Sequence, residues 1–401
     1  VVVTSSAIAR DNPEVAEAHR LRVPVIGRAE MLSELMRLKY GIAIAGMHGK
    51  TTTTSMVAAV LAAGGLDPTV VVGGRVDSMG SNARLGKSQY LVAEADESDR
   101  SFLKLSPILS VVTNIDREHM DCYRDMADVE QTFVEFMDRV PFYGMVVACN
   151  DDDRVRSLVP RVTRRVVTYG MRAGSDFQVH QVEQGTASGP GLSRFQVRFG
   201  ERDLGSFSLH VPGAHNVLNA TAAIACGVGL DIPLQNIRSA LEIFRGVDRR
   251  FQLRGRRAGV SVIDDYGHHP TEIRATLAAA RQCGFNKVHV IFQPHRYTRT
   301  QALLEEFATA FSGADSVFLL DIYAASEQPI AGVTAERLAQ QISAAGSRPA
   351  EYKQSFDEAA AAAVQAARPG DMILTLGAGN VSQLAPMLLE GLAARESSAV
   401  T

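Results

Sequence analysis

Short apolar runs alternate with helical patterns along almost the whole chain of 401 residues, and this alternation restricts the possible folds more than any other feature. The run GIAIAG at residues 41–46 precedes the helical stretch TTTTSMVAAVLAAGG. QYLVAEAD at 89–96 is followed by a further apolar run, SPILSVVTNI. Strands that are apolar on both faces are typical of parallel sheets covered by helices. We therefore predict α/β layers with mainly parallel sheets.

Residues 176–209 depart from that alternation. FQVHQVEQG, SRFQVRFG and FSLHVPG are short alternating segments with glycine turns, which predict an antiparallel patch. A helix is expected from about Val217 to Gly227.

A second α/β series begins near Val260. Its predicted strands are VSVIDDY, KVHVIFQP, SVFLLDIY and DMILTLGAGN, with helices such as TEIRATLAAARQC and TQALLEEFATAFSG between them. The preceding stretch, residues 245–259, is rich in Arg and Gly and has no strong period. We place the joint between two domains there.

Length and composition exclude several classes of protein. A chain of 401 residues exceeds one ordinary core and indicates two or three domains. The formal net charge of −3 leaves no basic field for nucleic acid. No apolar run reaches about 18 residues, so no membrane insertion is expected. Four scattered cysteines match no metal spacing and, with no visible signal peptide, predict a cytoplasmic protein.

The chain begins with Val1-Val2-Val3-Thr4, which has the pattern of a buried strand, and has no initiator Met. Natural chains rarely begin inside a strand. We therefore expect the N-terminal part of a domain to be missing.

The segment AIAGMHGKTTTT, residues 43–54, is the first candidate site. Gly49-Lys50-Thr51 matches the end of a phosphate-binding loop, although the usual earlier glycine is replaced by Ile44. Backbone N–H groups at a helix N-terminus bind anions. Lys50 would then reach the β- and γ-phosphates of a nucleotide, and the Thr51 hydroxyl would face Mg²⁺. The alternative is a plain strand–helix turn that carries a lysine.

Acidic residues end the next predicted strand, in LVAEADESD. A carboxylate at this edge of the sheet is well placed to hold Mg²⁺, and we assign that role to Glu94. We assign the other acids, Asp96, Glu97 and Asp99, to a solvated loop that caps the next helix.

The strand in VVTNIDREHMD also ends in polar residues, Asn114, Asp116, His119 and Asp121. A lone loop histidine is more often a surface residue than a ligand. A neighbouring Mg²⁺–nucleotide site favours His119 as a ligand, although Mg²⁺ prefers oxygen.

Two further segments leave alternatives open. GAHNVLNATAA places Asn216 and Asn219 at a helix start, where they could contact adenine or cap the helix. FRGVDRRFQ offers Arg249 and Arg250, either to contact a transferring phosphate or to form a solvated hinge.

The densest polar clusters follow two strands of the second series, in IDDYGHHPTEI and FQPHRYTRT. Carboxyl ends of parallel strands form the crevice where ligands bind. His295, Arg296 and Arg299 at such an edge suit a small anion such as a carboxylate. LTLGAGNVSQL has two glycines, not three, and is therefore not a dinucleotide fingerprint.

These motifs, in this order, resemble those of the Mur ligases over nearly the whole chain, from SSAI to GAGNVS. The loop from Gly46 to Thr51 resembles the family's form of the phosphate loop, with Met47 where the family usually has Thr. DDYGHHPTE and PHRYTRT resemble most the members that add L-alanine to UDP-N-acetylmuramate. The resemblance implies three domains. They are the end of a UDP-binding domain (1–40), a central ATPase (41–248) and a C-terminal Rossmann-like domain (249–401).

The resemblance also implies roles for individual residues. Mg²⁺ would be bound by Thr51, Glu94 and His119. L-alanine would be surrounded by Tyr266, His268, His295, Arg296 and Arg299. Lys50, Glu94, His119 and Arg250 would be catalytic. ATP would be contacted by Gly46, His48, Gly49, Lys50, Thr51, Thr52, Asn219 (adenine), Arg250 (phosphates) and Asp265 (ribose).

The implied activity is ATP-dependent ligation of L-alanine to the UDP-N-acetylmuramate carboxylate through an acyl phosphate, as a monomer or homodimer. One alternative is a related ligase that uses another amino acid or a peptide. A second is a nucleotide-binding fragment that is inactive for want of its N-terminal domain. A P-loop kinase or GTPase would leave the second α/β series unexplained.

Overall fold

The computed structural model describes residues 1–5, 8–9, 11–76, 81–185, 191–345 and 349–398, so Ser6 and Ala7 of the SSAI motif lie outside the described residues. The predicted α/β alternation is confirmed. The strands are β1 (Val2–Thr4), β2 (Val25–Gly27), β3 (Tyr40–Ala45), β4 (Thr69–Val76), β5 (Ser81–Arg84), β6 (Tyr90–Glu94), β7 (Leu109–Val112), β8 (Met145–Cys149), β9 (Val166–Gly170), β10 (Phe177–Gly185), β11 (Leu192–Phe199), β12 (Arg202–Leu209), β13 (Gln252–Arg257), β14 (Val260–Asp265), β15 (Val288–Phe292), β16 (Ser316–Leu319), β17 (Ala350–Tyr352) and β18 (Met372–Leu376).

The α-helices between them include those predicted after β3, near Val217 and after β14. They are α1 (Pro13–Arg20), α2 (Arg28–Arg37), α3 (Lys50–Ala63), α4 (Met126–Met137), α5 (Asp153–Leu158), α6 (Ala214–Gly229), α7 (Leu234–Ile243), α8 (Pro270–Gln282), α9 (Tyr297–Ala302), α10 (Leu304–Ala310), α11 (Ala335–Ala344), α12 (Phe356–Ala366) and α13 (Leu384–Ser398). Within the described ranges, no helix is long and apolar enough to cross a membrane.

The chain divides into two compact units, which are described separately. The first comprises Val1–Val182, Phe195–Ser208 and Val217–Phe244, and the second comprises Glu183–Arg194, Leu209–Asn216 and Arg245–Thr401.

A large sheet has the strand order β12-β11-β10-β9-β8-β7-β3-β6-β4-β5. Strand β3 pairs in parallel with both β6 and β7, so the carboxyl ends of these three strands meet at one edge of the sheet.

The second unit contains a sheet of order β13-β14-β18-β15-β16-β17. Its strands are parallel except for β13, which pairs antiparallel with β14 at the sheet edge. Both faces are buried: Ile263 of β14 belongs to the core on one face, and its neighbour Val262 belongs to the core on the other. The carboxyl ends of β14, β15 and β18 therefore form one edge that carries loops.

The stretch 245–259, where we place the domain joint, contains the edge strand β13, whose side chains are exposed or half-buried and therefore show no apolar alternation. Two local predictions were wrong. The expected single helix from Thr300 is divided at Leu303 into α9 and α10. Strand β1 is only partly buried, with Val3 43% exposed, because it pairs with β2 in a separate two-stranded sheet.

Candidate active site

The phosphate loop lies between β3 and α3, as the sequence predicts. Gly46 and Gly49 have φ angles of +129° and +82°, which L-residues rarely adopt. A Cβ on Gly46 would lie 2.1 Å from Thr113 Oγ1, and one on Gly49 would lie 2.9 Å from Asn219 Oδ1. Both backbone conformation and space therefore require glycine here.

Side chains from the end of β7 hold this loop in place. Asn114 Oδ1 accepts a hydrogen bond from the His48 amide at 2.9 Å, and Asn114 Nδ2 donates to the His48 carbonyl at 2.9 Å. Thr113 Oγ1 donates to the same carbonyl at 2.7 Å. The His48 ring lies 3.0 Å from Asp116 through Nε2 and Oδ2. The loop is thus fixed at His48 from the neighbouring strand.

Lys50 is the first residue of α3, and its ammonium is tied to its surroundings. Lys50 Nζ donates to the carbonyls of Gly46 at 2.7 Å and Met47 at 3.3 Å, and to Glu97 Oε1 at 2.6 Å. Burial lowers the pKa of Lys50, but the carboxylates of Glu97 and Glu94 outweigh that effect and raise it above its ordinary value. The ammonium is therefore charged and held against the loop.

Glu97 is a site residue that sequence reasoning missed. We assigned it to a solvated loop, but its side chain is only 1% exposed. Burial raises the pKa of Glu97 to about 7, although the Lys50 ammonium opposes the shift. The signal available in the sequence was only the density of acids in EADESD, which does not say which acid turns inward.

Thr51 and Glu94, two predicted Mg²⁺ ligands, lie together. Thr51 Oγ1 is 2.9 Å from Glu94 Oε2, which also accepts a hydrogen bond from the Gly73 amide at 2.8 Å. The third, His119, has a φ of +57° and places Nε2 3.7 Å from Glu97 Oε1. A hydroxyl and a carboxylate side by side supply the oxygen ligands that Mg²⁺ prefers.

A cavity of about 610 Å³ opens beside these groups in the first unit. Its lining includes Lys50, Glu94 and Asp96, together with Thr4, Gly27 and Arg28. The first 40 residues therefore contribute to the wall of the space next to the phosphate loop.

The two candidate asparagines of α6 are both buried. Asn219 is 6% exposed and lies beside Gly49, next to the phosphate loop. Asn216 lies within the helix, and its Nδ2 donates to the Pro212 carbonyl at 2.7 Å. Asn219 is therefore the asparagine that lies next to the phosphate loop.

In the second unit, Arg249 and Arg250 both lie over the ring of Tyr266, each 5.1 Å from its centroid. Arg249 Nε contacts Asp264 Oδ2 at 3.2 Å, and Arg250 Nη1 lies 3.5 Å from Glu272 Oε1. Both guanidinium groups therefore make ion pairs within the second unit, and the choice between a phosphate contact and a hinge stays open.

Asp265 is more enclosed than a ribose contact would suggest. Its carboxylate accepts hydrogen bonds from the amides of Phe251 and Gly267, both at 2.7 Å, and from the Thr276 hydroxyl at 3.3 Å. Burial raises the pKa of Asp265 to about 6. In this structure the carboxylate fixes the backbone before β13, and its assignment to ribose stays a prediction.

The predicted amino-acid residues gather at the carboxyl edge of the second sheet. The His268 ring contacts those of Tyr266 and His295, with centroids 5.4 and 5.7 Å apart, and His295 stacks on Tyr323. Burial, followed by the nearby positive charges, lowers the pKa of His295 to about 4. The neutral ring thus borders the arginines of this edge.

The two arginines of this cluster are anchored differently. Arg299 Nη1 lies 3.1 Å from His295 Nδ1, and Arg296 Nε lies 3.7 Å from Glu327 Oε1. Arg296 has a φ of +71° and directly precedes α9. Tyr323 and Glu327, which come from the loop after β16, were not among the predicted residues because their sequence context carries no motif.

A phosphate loop after a buried parallel strand, with a hydroxyl and a carboxylate beside it, defines a nucleotide-binding α/β protein. The sequence models of three Mur ligase domains match this chain. They are the Mur ligase family catalytic domain at residues 1–40, the Mur ligase middle domain at 44–227 and the Mur ligase glutamate ligase domain at 249–379. The chain belongs to the Mur ligase family.

Individual relatives agree with this classification. The UDP-N-acetylmuramate–L-alanine ligase of Koribacter versatilis is 70% identical over 100% of this chain and 86% of its own length. The enzyme of the same name from Acidobacterium capsulatum is 65% identical over 98% of this chain and 85% of its own. The crystal structure of UDP-N-acetylmuramate-alanine ligase from Thermotoga maritima is 29% identical with a TM-score of 0.81, covering 99% of this chain and 85% of that one. The resemblance and fold class inferred from the sequence are confirmed.

Proposed function

We propose that this chain joins L-alanine to the carboxylate of UDP-N-acetylmuramate in an ATP-dependent reaction, a step of peptidoglycan synthesis. The observation that carries the proposal is the 70% identity, over the whole chain, to a relative of that name. The phosphate loop and the cationic cluster of the second unit would supply two anion sites that the reaction needs, one for a triphosphate and one for an amino-acid carboxylate.

The reaction explains why a nucleotide is needed. A carboxylate is a poor acyl donor because oxide would have to leave. Transfer of the γ-phosphoryl group of ATP to the carboxylate gives an acyl phosphate, which the amine of L-alanine attacks with loss of phosphate. Such chemistry depends on positioning and charge stabilisation more than on a covalent nucleophile.

The residues of the first unit fit these requirements. The backbone of Gly46 to Gly49 would cradle the phosphates at the N-terminus of α3, and Lys50 would offset their charge. Thr51 and Glu94, which lie 2.9 Å apart, would hold Mg²⁺, with His119 as the third ligand. When bound, Mg²⁺ would neutralise charge on the transferring phosphoryl group. Thr52 and His48 would complete the contacts of the loop with ATP.

The remaining assignments are proposals of the same kind. Asn219 would contact adenine, which its position beside Gly49 supports. Arg250 would contact the phosphates. L-alanine would be bound by Tyr266, His268, His295, Arg296 and Arg299. We further propose domains at 1–40, 41–248 and 249–401, a cytoplasmic location, and a monomer or homodimer. The three matched domain segments support the boundaries.

The test is to incubate this chain with Mg²⁺, ATP and UDP-N-acetylmuramate, together with each of a panel of amino acids, and to detect products by mass spectrometry. The Koribacter versatilis relative serves as positive control. We expect the alanyl product from both proteins. Product with another amino acid alone would refute the choice of L-alanine. No product from this chain, under conditions where the control is active, would refute the ligase proposal.

A further inference from the structure

Glu97 is a buried acid to which neither the predicted ligand set nor the family resemblance gives a role. Its Oε1 accepts a hydrogen bond from Lys50 Nζ at 2.6 Å. Within the described part of the chain, its Oε2 is buried and has no hydrogen-bond partner. A buried carboxylate with only one oxygen hydrogen-bonded lowers the stability of the folded state, because the other oxygen has lost its hydration without gaining a partner. Stability alone therefore does not account for an acid at this position.

The backbone around Glu97 is fixed by a second set of contacts. The Tyr123 hydroxyl donates to the Glu97 carbonyl at 2.5 Å. The Arg100 guanidinium lies 4.7 Å from the centroid of the Tyr123 ring and also pairs with Asp128. The backbone of residue 97 is thus held independently of its carboxylate, which contacts Lys50 beside the phosphate loop.

Lys50 has a long, flexible side chain, so its ammonium needs a charged partner such as Glu97 to stay in one position. Its ammonium sits on four flexible carbons, and fixing that chain costs rotamer entropy. The carbonyls of Gly46 and Met47 have no net charge, whereas Glu97 attracts the ammonium electrostatically in a water-poor setting. Glu97 therefore attracts Nζ more strongly than either carbonyl does.

We propose that Glu97 is a positioning residue, which aligns the ammonium of Lys50 for the phosphates of the nucleotide. This inference rests on the proposed function for the identity of the nucleotide. Glu97 also lies 3.7 Å from His119 Nε2, so one carboxylate borders both the lysine and a predicted metal ligand. Its effect on nucleotide binding is exerted through Lys50, and removing the lysine should remove the effect.

A double-mutant cycle tests that dependence. The affinity of the full chain for ATP with Mg²⁺ is measured by calorimetry for wild type, Glu97→Gln, Lys50→Ala and the double variant. We expect Glu97→Gln to weaken binding about tenfold in the wild-type background, the loss of one charge-assisted contact. In the Lys50→Ala background the same change should alter affinity less than about twofold. Equal losses in both backgrounds, or wild-type affinity of Glu97→Gln, would overturn the proposal.

Controls separate positioning from folding. Glu201→Gln makes the same chemical change at an exposed position and should leave affinity unchanged. Thermal unfolding shows whether each variant is folded. If Glu97→Gln does not fold, the cycle is run with Tyr123→Phe, which loosens the Glu97 backbone and should give a smaller loss that again requires Lys50. Failure of the ligase assay with intact ATP binding would refute the proposed function while leaving this cycle valid.

Discussion

Replacing Gly46 with alanine should disable the phosphate loop through a defined steric conflict. The new Cβ would lie 2.1 Å from Thr113 Oγ1 and 3.0 Å from the Asn114 amide nitrogen. Real Cβ contacts are rarely shorter than 3.0 Å, so the two atoms must separate by about 0.9 Å. The φ of +129° adds a backbone cost of about 1–3 kcal/mol for a residue with a side chain.

The displacement matters more for binding than for folding. A shift of about 1 Å in groups that position a reacting substrate can reduce activity about a hundredfold. We therefore expect Gly46→Ala to weaken binding of ATP with Mg²⁺ by at least about tenfold, with a fall of a few degrees in the thermal midpoint. Calorimetry measures the first quantity, and thermal unfolding measures the second.

Gly65→Ala is the matched control. Gly65 also has a positive φ, +81°, but an added Cβ there would meet nothing within 4 Å. This variant should lose about 1–2 kcal/mol of stability from the backbone alone and retain its ATP affinity. Combining Gly46→Ala with Thr113→Ala removes the nearest clashing atom and should recover part of the affinity. Wild-type affinity of Gly46→Ala, or an equal loss in Gly65→Ala, would refute the steric argument.

Three further variants test other parts of the structure. Lys50→Ala should abolish product formation in the ligase assay while the chain stays folded, and wild-type turnover would remove Lys50 from the site. Arg296→Ala should mainly raise the apparent KM for the amino acid, because the proposed contact of Arg296 is with the amino-acid carboxylate. Steady-state kinetics at saturating ATP measure KM and kcat separately, and an unchanged KM would remove Arg296 from the amino-acid site. His289→Ala should lower the thermal midpoint by several degrees. The change removes the hydrogen bonds that the His289 ring makes to the buried Asp371 carboxylate and to the Ser316 hydroxyl. Since His289 lies on the body of its strand, a changed KM for either substrate would contradict this structural role.

The phosphate loop was predictable because its signals are local. Gly49-Lys50-Thr51 follows an apolar strand and opens a helix, and both elements formed as expected. The same holds for His295 and Arg296, which come three and four residues after the end of β15. Where a strand end and a motif coincide in the sequence, the edge of the sheet brings the residues together.

Residues whose roles depend on distant partners could not be predicted. Glu97 and Asp99 are two positions apart in one acidic loop, yet only Glu97 is buried, because Lys50 lies opposite it. Asp265 is a motif residue whose carboxylate is occupied by the Phe251 amide. Strand β13 had no apolar period because an edge strand with exposed faces needs none. In each case tertiary contacts, not sequence pattern, decided the outcome.

The hydrogen bonds from Asn114 and Thr113 to His48 affect nucleotide affinity through residues that lie outside the phosphate loop. Because folding already removes the conformational entropy of this loop, an arriving nucleotide does not have to order it. Part of the binding free energy thus resides in a strand end that need not touch the ligand. Substitutions at Asn114 would then weaken binding through increased disorder of the free protein, visible as faster amide hydrogen exchange at residues 46–49 before any nucleotide is added.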